Sequence, residues 1–174
     1  KSCGGVSELF SSCWNDEDKS YLQPIRDSAC HSLPDLTNEA NAEKWIRSAP
    51  ESFCNSNDDK VLSQVLNDYD LETKDFYRWK VVYKATELSA LVKKNTGIDF
   101  GSIKNLVPLR RGASGRIIEL LIEGTKKQMI IGKELEIRRV LSNSHLKSSA
   151  FVVDCFDADS EGIPARIEIV GSGW

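Results

Sequence analysis

The chain has little of several features that mark common classes of protein. It contains only two histidines, His31 and His145, which stand far apart in the sequence, so no Ser-His-Asp catalytic arrangement is predicted. It contains no apolar run of about 18 residues, which excludes an evident membrane-spanning helix. No glycine-rich stretch is followed by Gly-Lys-Ser or Gly-Lys-Thr, so a phosphate-binding loop is not predicted either.

The chain also lacks an excess of positive charge. Lysine and arginine number 23 against 26 aspartates and glutamates, which gives a formal net charge of −3. Nucleic-acid binding domains usually carry a basic stripe, so we expect no nucleic-acid partner. A length of 174 residues fits one domain with a sizeable core, and we predict a single domain over residues 1–174.

Cysteines are frequent for a chain of this size. There are five, and four of them stand in the first third of the sequence: Cys3, Cys13, Cys30 and Cys54. Disulfides between Cys3 and Cys13 and between Cys30 and Cys54 are one interpretation, and the second bridge would stabilise the fold by about 3 kcal/mol through loop closure. A metal site that includes His31 is another interpretation, although no Cys-x-x-Cys spacing supports it, and reduced buried thiols are a third.

A strand, a tight turn, a second strand, another turn, a short third strand and a helix are predicted between residues 106 and 141. Ile118, Leu120 and Ile122 alternate with polar or outward positions, which is the period of a strand, and Ser114-Gly115 suits the preceding hairpin turn. After Gly132 the apolar residues fall on one face of a helix that includes Ile137. We therefore expect Leu120 and Ile137 to be buried.

Flanking elements complete an α+β fold with a mainly antiparallel sheet and a few packed helices. Strands are predicted over 75–83 with Trp79 inward, over 150–153, and over 165–170 with Arg166 and Glu168 outward. One helix is predicted to begin at Thr37 or Asn38, and another to be capped by Thr86 and to end at Gly97. Cys155 follows an apolar run, and we expect it to be a buried thiol.

Several short motifs occur together in a fixed order. They are SCGGVSELF at 2–10, RRGASGR at 110–116, IEGTK at 122–126, GKELEIRR at 132–139, LKSSAF at 146–151 and GSGW at 171–174. This ordered set resembles the stage II sporulation protein D family, which comprises peptidoglycan lytic transglycosylases and amidase enhancers. The resemblance covers most of the chain except roughly residues 30–70, and we expect residues 30–74 to be an insertion.

The resemblance implies the processing of cell-wall glycan strands outside the cytoplasm, in the periplasm or cell envelope. It implies peptidoglycan as the ligand and a cell-wall amidase as a further partner, and it implies no cofactor. In that family the acid that protonates the leaving oxygen is a Glu in a Glu-Met-Pro type motif upstream of the Gly-Gly turn. No equivalent motif occurs here, so we expect an internal fragment of such a protein, without its catalytic Glu. Some members carry a Cys/His metal site in the cysteine-rich region, but no metal is assigned here.

The same resemblance suggests substrate-binding residues near the start of the chain. They are Gly4, Gly5, Glu8, Trp14, Tyr21 and Asp27. Bare glycine backbone would let a sugar approach closely, aromatic rings would stack on sugar faces, and carboxylates would accept bonds from hydroxyls. Each has a structural alternative: the glycines also suit a tight turn, and a carboxylate such as Glu8 is usually solvated. An enzyme, a glycan-binding module and a disulfide-stapled structural domain therefore remain the competing hypotheses.

Overall fold

A computed structural model describes residues 2–14, 17–66, 73 and 75–174. Within these ranges the helices are α1 (Phe10–Cys13), α2 (Glu39–Ser48), α3 (Asp59–Val65), α4 (Ala85–Thr96) and α5 (Glu134–Val140). The strands are β1 (Arg78–Lys84), β2 (Ile103–Arg111), β3 (Ile117–Gly124), β4 (Gln128–Ile131), β5 (Phe151–Phe156) and β6 (Arg166–Ser172). They form two three-stranded antiparallel sheets, ordered β1-β6-β5 and β2-β3-β4, which confirms the predicted α+β class.

The β2-β3-β4 sheet follows the predicted alternation. Leu120 and Ile122 on the central strand β3 are fully buried, and Leu120 pairs with Ile131 across the sheet. Ile137 on α5 is fully buried in the same core, because the apolar face of the helix lies against this sheet. The predicted register of the hairpin and of the helix is therefore confirmed.

The β1-β6-β5 sheet shares that core. Ile167 and Ile169 on the central strand β6 are fully buried, and only 3% of the surface of Trp79 is exposed. All three residues belong to one core cluster with Leu120. Glu168 lies outside the core cluster, on the outward face of β6 as predicted, yet only 7% of its surface is exposed. Its carboxylate is ion-paired with Lys80 and Arg166, and this pairing offsets the cost of burying the charge.

Capping residues explain where the longer helices begin and end. The Asn38 side chain accepts a hydrogen bond from the Asn41 N–H at 3.2 Å, which confirms the predicted start of α2. Gly97, at φ +73°, ends α4 as predicted. The prediction that Thr86 caps α4 is wrong, since the helix already includes Ala85 and the Glu87 carboxylate accepts the N–H of Lys84 at 3.3 Å.

Helix α2, from the predicted insertion, is fastened to both sheets. Glu39 accepts two hydrogen bonds from the guanidinium of Arg111 on β2, each at 2.6 Å, and Arg111 is itself buried. Arg47 makes a similar two-point contact with Asp154 on β5, at 2.7 and 3.1 Å. The insertion remains a prediction, and its residues 67–72 and 74 lie outside the described ranges.

Across the described ranges, no helix combines the length and the apolar character needed to cross a membrane.

Candidate functional site

The two ends of the chain lie against each other. The Trp174 N–H donates to the carbonyl of Ser2 at 2.7 Å, and the Ser172 hydroxyl donates to the carbonyl of Gly4 at 3.1 Å. The N–H of Gly173 donates to the carbonyl of Tyr77 at 3.1 Å, just before β1. The first and last motifs of the sequence are therefore parts of one structure.

Gly4 and Gly5 allow this close packing. Their φ angles are +80° and +100°, in the region that favours glycine, and both residues are buried. A Cβ on Gly5 would lie 2.7 Å from the Ser52 hydroxyl and 2.8 Å from the Trp45 ring, and a Cβ on Gly4 would collide with Ser172. The prediction that a ligand approaches these glycines is corrected, because protein groups already occupy that space.

Glu8 holds the turn between β2 and β3. Its carboxylate accepts hydrogen bonds from the N–H of Ala113 at 2.9 Å, the N–H of Ser114 at 3.0 Å and the Ser114 hydroxyl at 2.6 Å. A Cβ on Gly112 would lie 2.6 Å from the carboxyl carbon of Glu8, so this approach also requires glycine. Glu8 is thus a structural anchor, and its predicted role in substrate binding is corrected.

Cys13 and Trp14 lie beside the start of α5. The Cys13 thiol donates to Glu134 at 2.9 Å, and burial, followed by that contact, raises the pKa of Cys13 to about 12. Lys133 Nζ donates to the Trp14 carbonyl at 2.9 Å, while 53% of the surface of Trp14 is exposed. The predicted pairing of Cys13 with Cys3 is wrong, since its thiol faces a carboxylate.

Tyr21 lies in an exposed loop. The N–H of Leu22 donates to the carbonyl of Lys19 at 2.9 Å, which closes the turn that carries Tyr21, and 79% of Tyr21 is exposed. The structure therefore does not gather the predicted binding residues into one cluster. Glu8 is at the hairpin, Trp14 is beside α5, and Asp27 is beside the thiols described next.

Cys3, Asp27 and Cys54 form a compact group, which we call the thiol cluster. The sulfurs of Cys3 and Cys54 are 3.4 Å apart, and Asp27 accepts the N–H of Cys54 at 2.8 Å and the thiol of Cys3 at 3.7 Å. One ligand atom from each residue lies within 4.8 Å of the others, and in the described part of the chain this is the one group of its kind with the geometry to hold a metal ion.

Hydrogen bonds make the two thiols of the cluster unequal. The contact with the Cys3 sulfur, with a hydrogen bond donated by the Ser2 hydroxyl at 3.1 Å, lowers the pKa of Cys54 to about 7. The pKa of Cys3 is raised by its contact with Cys54 and by burial. Cys54 is therefore the thiol that ionises first.

The remaining cysteines differ from the sequence predictions. The partner of Cys54 is Cys3, so the predicted Cys30–Cys54 pairing is wrong, and Cys30 is an exposed free thiol. His31 is exposed as well and does not join the thiol cluster. Cys155 is exposed where a buried thiol was expected, because β5 is an edge strand whose last residues lie beyond the core.

An aromatic edge, formed by Phe76, Trp174 and Lys147, borders the thiol cluster. The rings of Phe76 and Trp174 are stacked at 4.9 Å with 21° between their planes, and the ammonium of Lys147 lies 5.5 Å from the Trp174 ring. Trp174 remains 36% exposed. A cavity of about 100 Å³ adjoins this edge, lined among others by Phe76, Tyr77 and Cys54.

Sequence reasoning identified the GSGW motif but missed the aromatic edge. Phe76 and Lys147 are separated by about 70 residues of chain. The pairing of both β1 and β5 with β6 brings the segments that precede β1 and β5 next to the end of β6 and Trp174. No local pattern marks either residue as a partner of Trp174.

Comparison with curated proteins and with solved structures found no match for this chain. A family model described as "Domain of unknown function (DUF8618)" matches residues 8–174. This match includes α1–α5, β1–β6 and Trp174 of the aromatic edge, while Cys3 precedes it. The chain therefore belongs to the DUF8618 family.

Proposed function

We propose that this chain is the glycan-recognising part of a peptidoglycan-processing protein of the cell envelope. The motifs that resemble stage II sporulation protein D proteins come from the start, the middle and the end of the sequence. In the fold, Ser2 and Gly4 contact the GSGW segment, and Glu8 contacts the RRGASGR hairpin. Their contact in space supports the resemblance, since unrelated chance matches have no reason to pack together.

The aromatic edge is the observation that carries the proposal. The Trp174 ring is 36% exposed and is stacked on Phe76, so it offers a rigid apolar surface of the kind that stacks on the C–H face of a sugar ring. The Lys147 ammonium lies over the same ring and is ion-paired with Asp75, and its remaining N–H donors are offered to the acetamido oxygens and lactyl carboxylates of peptidoglycan sugars. The adjoining cavity of about 100 Å³ places further apolar surface next to the edge, and in this proposal the glycan lies across the edge.

We infer that the chain binds glycan strands without cleaving them. Cleavage needs a carboxylic acid that carries a proton to the leaving oxygen. The two carboxylates proposed from the sequence, Glu8 and Asp27, both accept bonds from backbone N–H groups, an arrangement suited to an ionised acceptor and not to a proton donor. A location outside the cytoplasm and a cell-wall amidase as partner belong to the same proposal, and neither requires a cofactor.

Co-sedimentation with insoluble peptidoglycan tests the proposal. The chain should pellet with the polymer, and Trp174→Ala should weaken the binding at least about tenfold, as the loss of a stacked aromatic anchor does at interfaces. Trp14→Ala is the matched control, because it removes the same side chain from an exposed position beside α5. Loss of binding in Trp14→Ala but not in Trp174→Ala would contradict the assignment to the aromatic edge.

A second assay separates binding from cleavage. Glycan strands stripped of peptides are incubated with the chain, and the products are separated by chromatography. We expect no anhydro-ended sugars. Their appearance would overturn the proposal of binding without cleavage. Whether the glycan binds at the aromatic edge would still be decided by the sedimentation assay.

A further inference from the structure

The sulfurs of Cys3 and Cys54 are 3.4 Å apart although the residues are 51 positions apart in the chain. Disulfide formation requires a separation near 2.05 Å, so closure needs a movement of about 1.4 Å, within reach of side-chain rotation. Elsewhere in the described ranges no other pair of sulfurs is in contact: Cys13 faces Glu134, and Cys30 and Cys155 are exposed.

The surroundings of the pair favour reaction at Cys54. The Ser2 hydroxyl donates a hydrogen bond to the Cys54 sulfur at 3.1 Å, which suits a thiolate there, and the Cys3 sulfur lies 3.4 Å from the same atom. Asp27 fixes the position of Cys54 through its backbone N–H at 2.8 Å and accepts from the Cys3 thiol at 3.7 Å. Asp27 therefore contacts both residues of the pair and holds them beside each other.

The two cysteines lie on the two segments that meet at the candidate site. Cys3 follows Ser2, whose carbonyl holds the N–H of Trp174. Cys54 follows Ser52, whose hydroxyl is hydrogen-bonded to Tyr77 at 2.8 Å, and its own side chain lines the cavity next to Phe76. A bond between the sulfurs would tie the segment that supports Trp174 to the loop that lines the cavity.

We propose that Cys3 and Cys54 form a reversible disulfide that fastens the aromatic edge to the 50–57 loop. The oxidant is a disulfide, either of a small molecule such as oxidised glutathione or of a protein. The Cys54 thiolate attacks one of its sulfurs, which forms a mixed disulfide and releases one thiolate. Cys3 then loses its proton to solvent, attacks the Cys54 sulfur and releases the second thiolate. In sum, two protein thiols and one disulfide become one protein disulfide and two thiols.

The test compares the chain after incubation with oxidised glutathione and after reduction. Mass spectrometry of an unreduced digest should contain one peptide pair that joins Cys3 to Cys54, and thiol titration of the unfolded oxidised chain should count three free thiols instead of five. The oxidised chain should unfold at a Tm roughly 8–16 °C above that of the reduced chain, as expected for the closure of a loop of this length. Cys30→Ser is the matched control and should retain the joined peptide and the Tm increase.

Three outcomes would overturn the proposal. Five titratable thiols after oxidation would exclude the bond, as would a joined peptide that involves Cys13 or Cys30. A metal ion that co-purifies in equal amount and keeps both thiols reduced would assign the cluster to metal binding instead. Because the wild-type chain is compared with itself, the result does not depend on whether Cys3→Ser or Cys54→Ser folds. It is also independent of glycan binding.

Discussion

Glu8 is the residue whose replacement probes the link between the first motif and the central hairpin most closely. In the fold its carboxylate accepts from the backbone N–H groups of Leu9, Ala113 and Ser114 and from the Ser114 hydroxyl. Glu8→Ala removes the acceptor and leaves those donors without a hydrogen-bond partner in a half-buried site. Glu8→Gln keeps the shape but turns an NH2 group toward donors that need an acceptor.

The expected loss follows from these contacts. A hydrogen bond to a charged group contributes about 1.5–3 kcal/mol, and stranding a buried donor costs about 1–3 kcal/mol. The four bonds share one carboxylate and water reaches part of the site, so the values do not add. We expect Glu8→Ala to lower the free energy of unfolding by about 2–4 kcal/mol and Glu8→Gln by about 1–2 kcal/mol.

Urea unfolding followed by tryptophan fluorescence provides the measurement. Glu119→Gln is the control, since Glu119 is an exposed partner of Arg110 and should change stability by less than about 0.5 kcal/mol. Gly112→Ala should resemble Glu8→Ala, because its Cβ pushes against the same carboxylate. A change in Glu8→Ala no larger than in the control would refute the anchoring role and return Glu8 to the list of ligand-binding candidates.

Three further predictions concern the core and the thiol cluster. Leu120→Ala should lower the free energy of unfolding by about 2–5 kcal/mol, because the side chain is fully buried; a loss below about 1 kcal/mol in urea unfolding would show that the hairpin register is wrong. Gly171→Ala should lower the free energy of unfolding by about 1–3 kcal/mol or more, the usual cost of overpacking a core, because the added Cβ would overlap the indole ring of Trp79. An unchanged Tm would contradict this packing. In the reduced chain, the rate of Cys54 alkylation should increase from pH 6 to pH 8 and reach half its maximum near pH 7, because the thiolate is the reactive form and the pKa of Cys54 is lowered to about 7. The modified cysteine is identified by peptide mass, and a midpoint near pH 9 would contradict the hydrogen-bonded arrangement.

Local patterns predicted those parts of the fold that depend on neighbouring residues. The alternation around Leu120 identified the central strand, Asn38 marked the start of α2, and Gly97 marked the end of α4. These features are set within a few residues by strand period and helix capping. Thr86 was chosen wrongly because it is the one residue in this stretch of a type that commonly caps helices, whereas the helix begins at Ala85 and Glu87 binds the N–H of Lys84.

The candidate site depends on contacts between distant segments, which no single pattern encodes. The sequence contains four early cysteines, and spacing favoured pairing each with a neighbour, whereas the fold brings Cys3 to Cys54. Glu8 was expected to meet a ligand, and instead it meets a hairpin more than 100 residues away. Glu168 was predicted outward from strand alternation, yet Lys80 and Arg166 allow its burial.

Glycan binding at the aromatic edge is the central claim, and the indole N–H signals of the four tryptophans test it most directly. Trp45 and Trp79 donate to the carbonyls of Gly4 and Gly173, so their signals serve as internal references in the folded chain. On titration with glycan strands stripped of peptides, the Trp174 signal should shift progressively and saturate, while the Trp14 signal stays in place. A Trp174 signal that does not move at millimolar concentrations of glycan chain ends, or a shift confined to Trp14, would contradict the account.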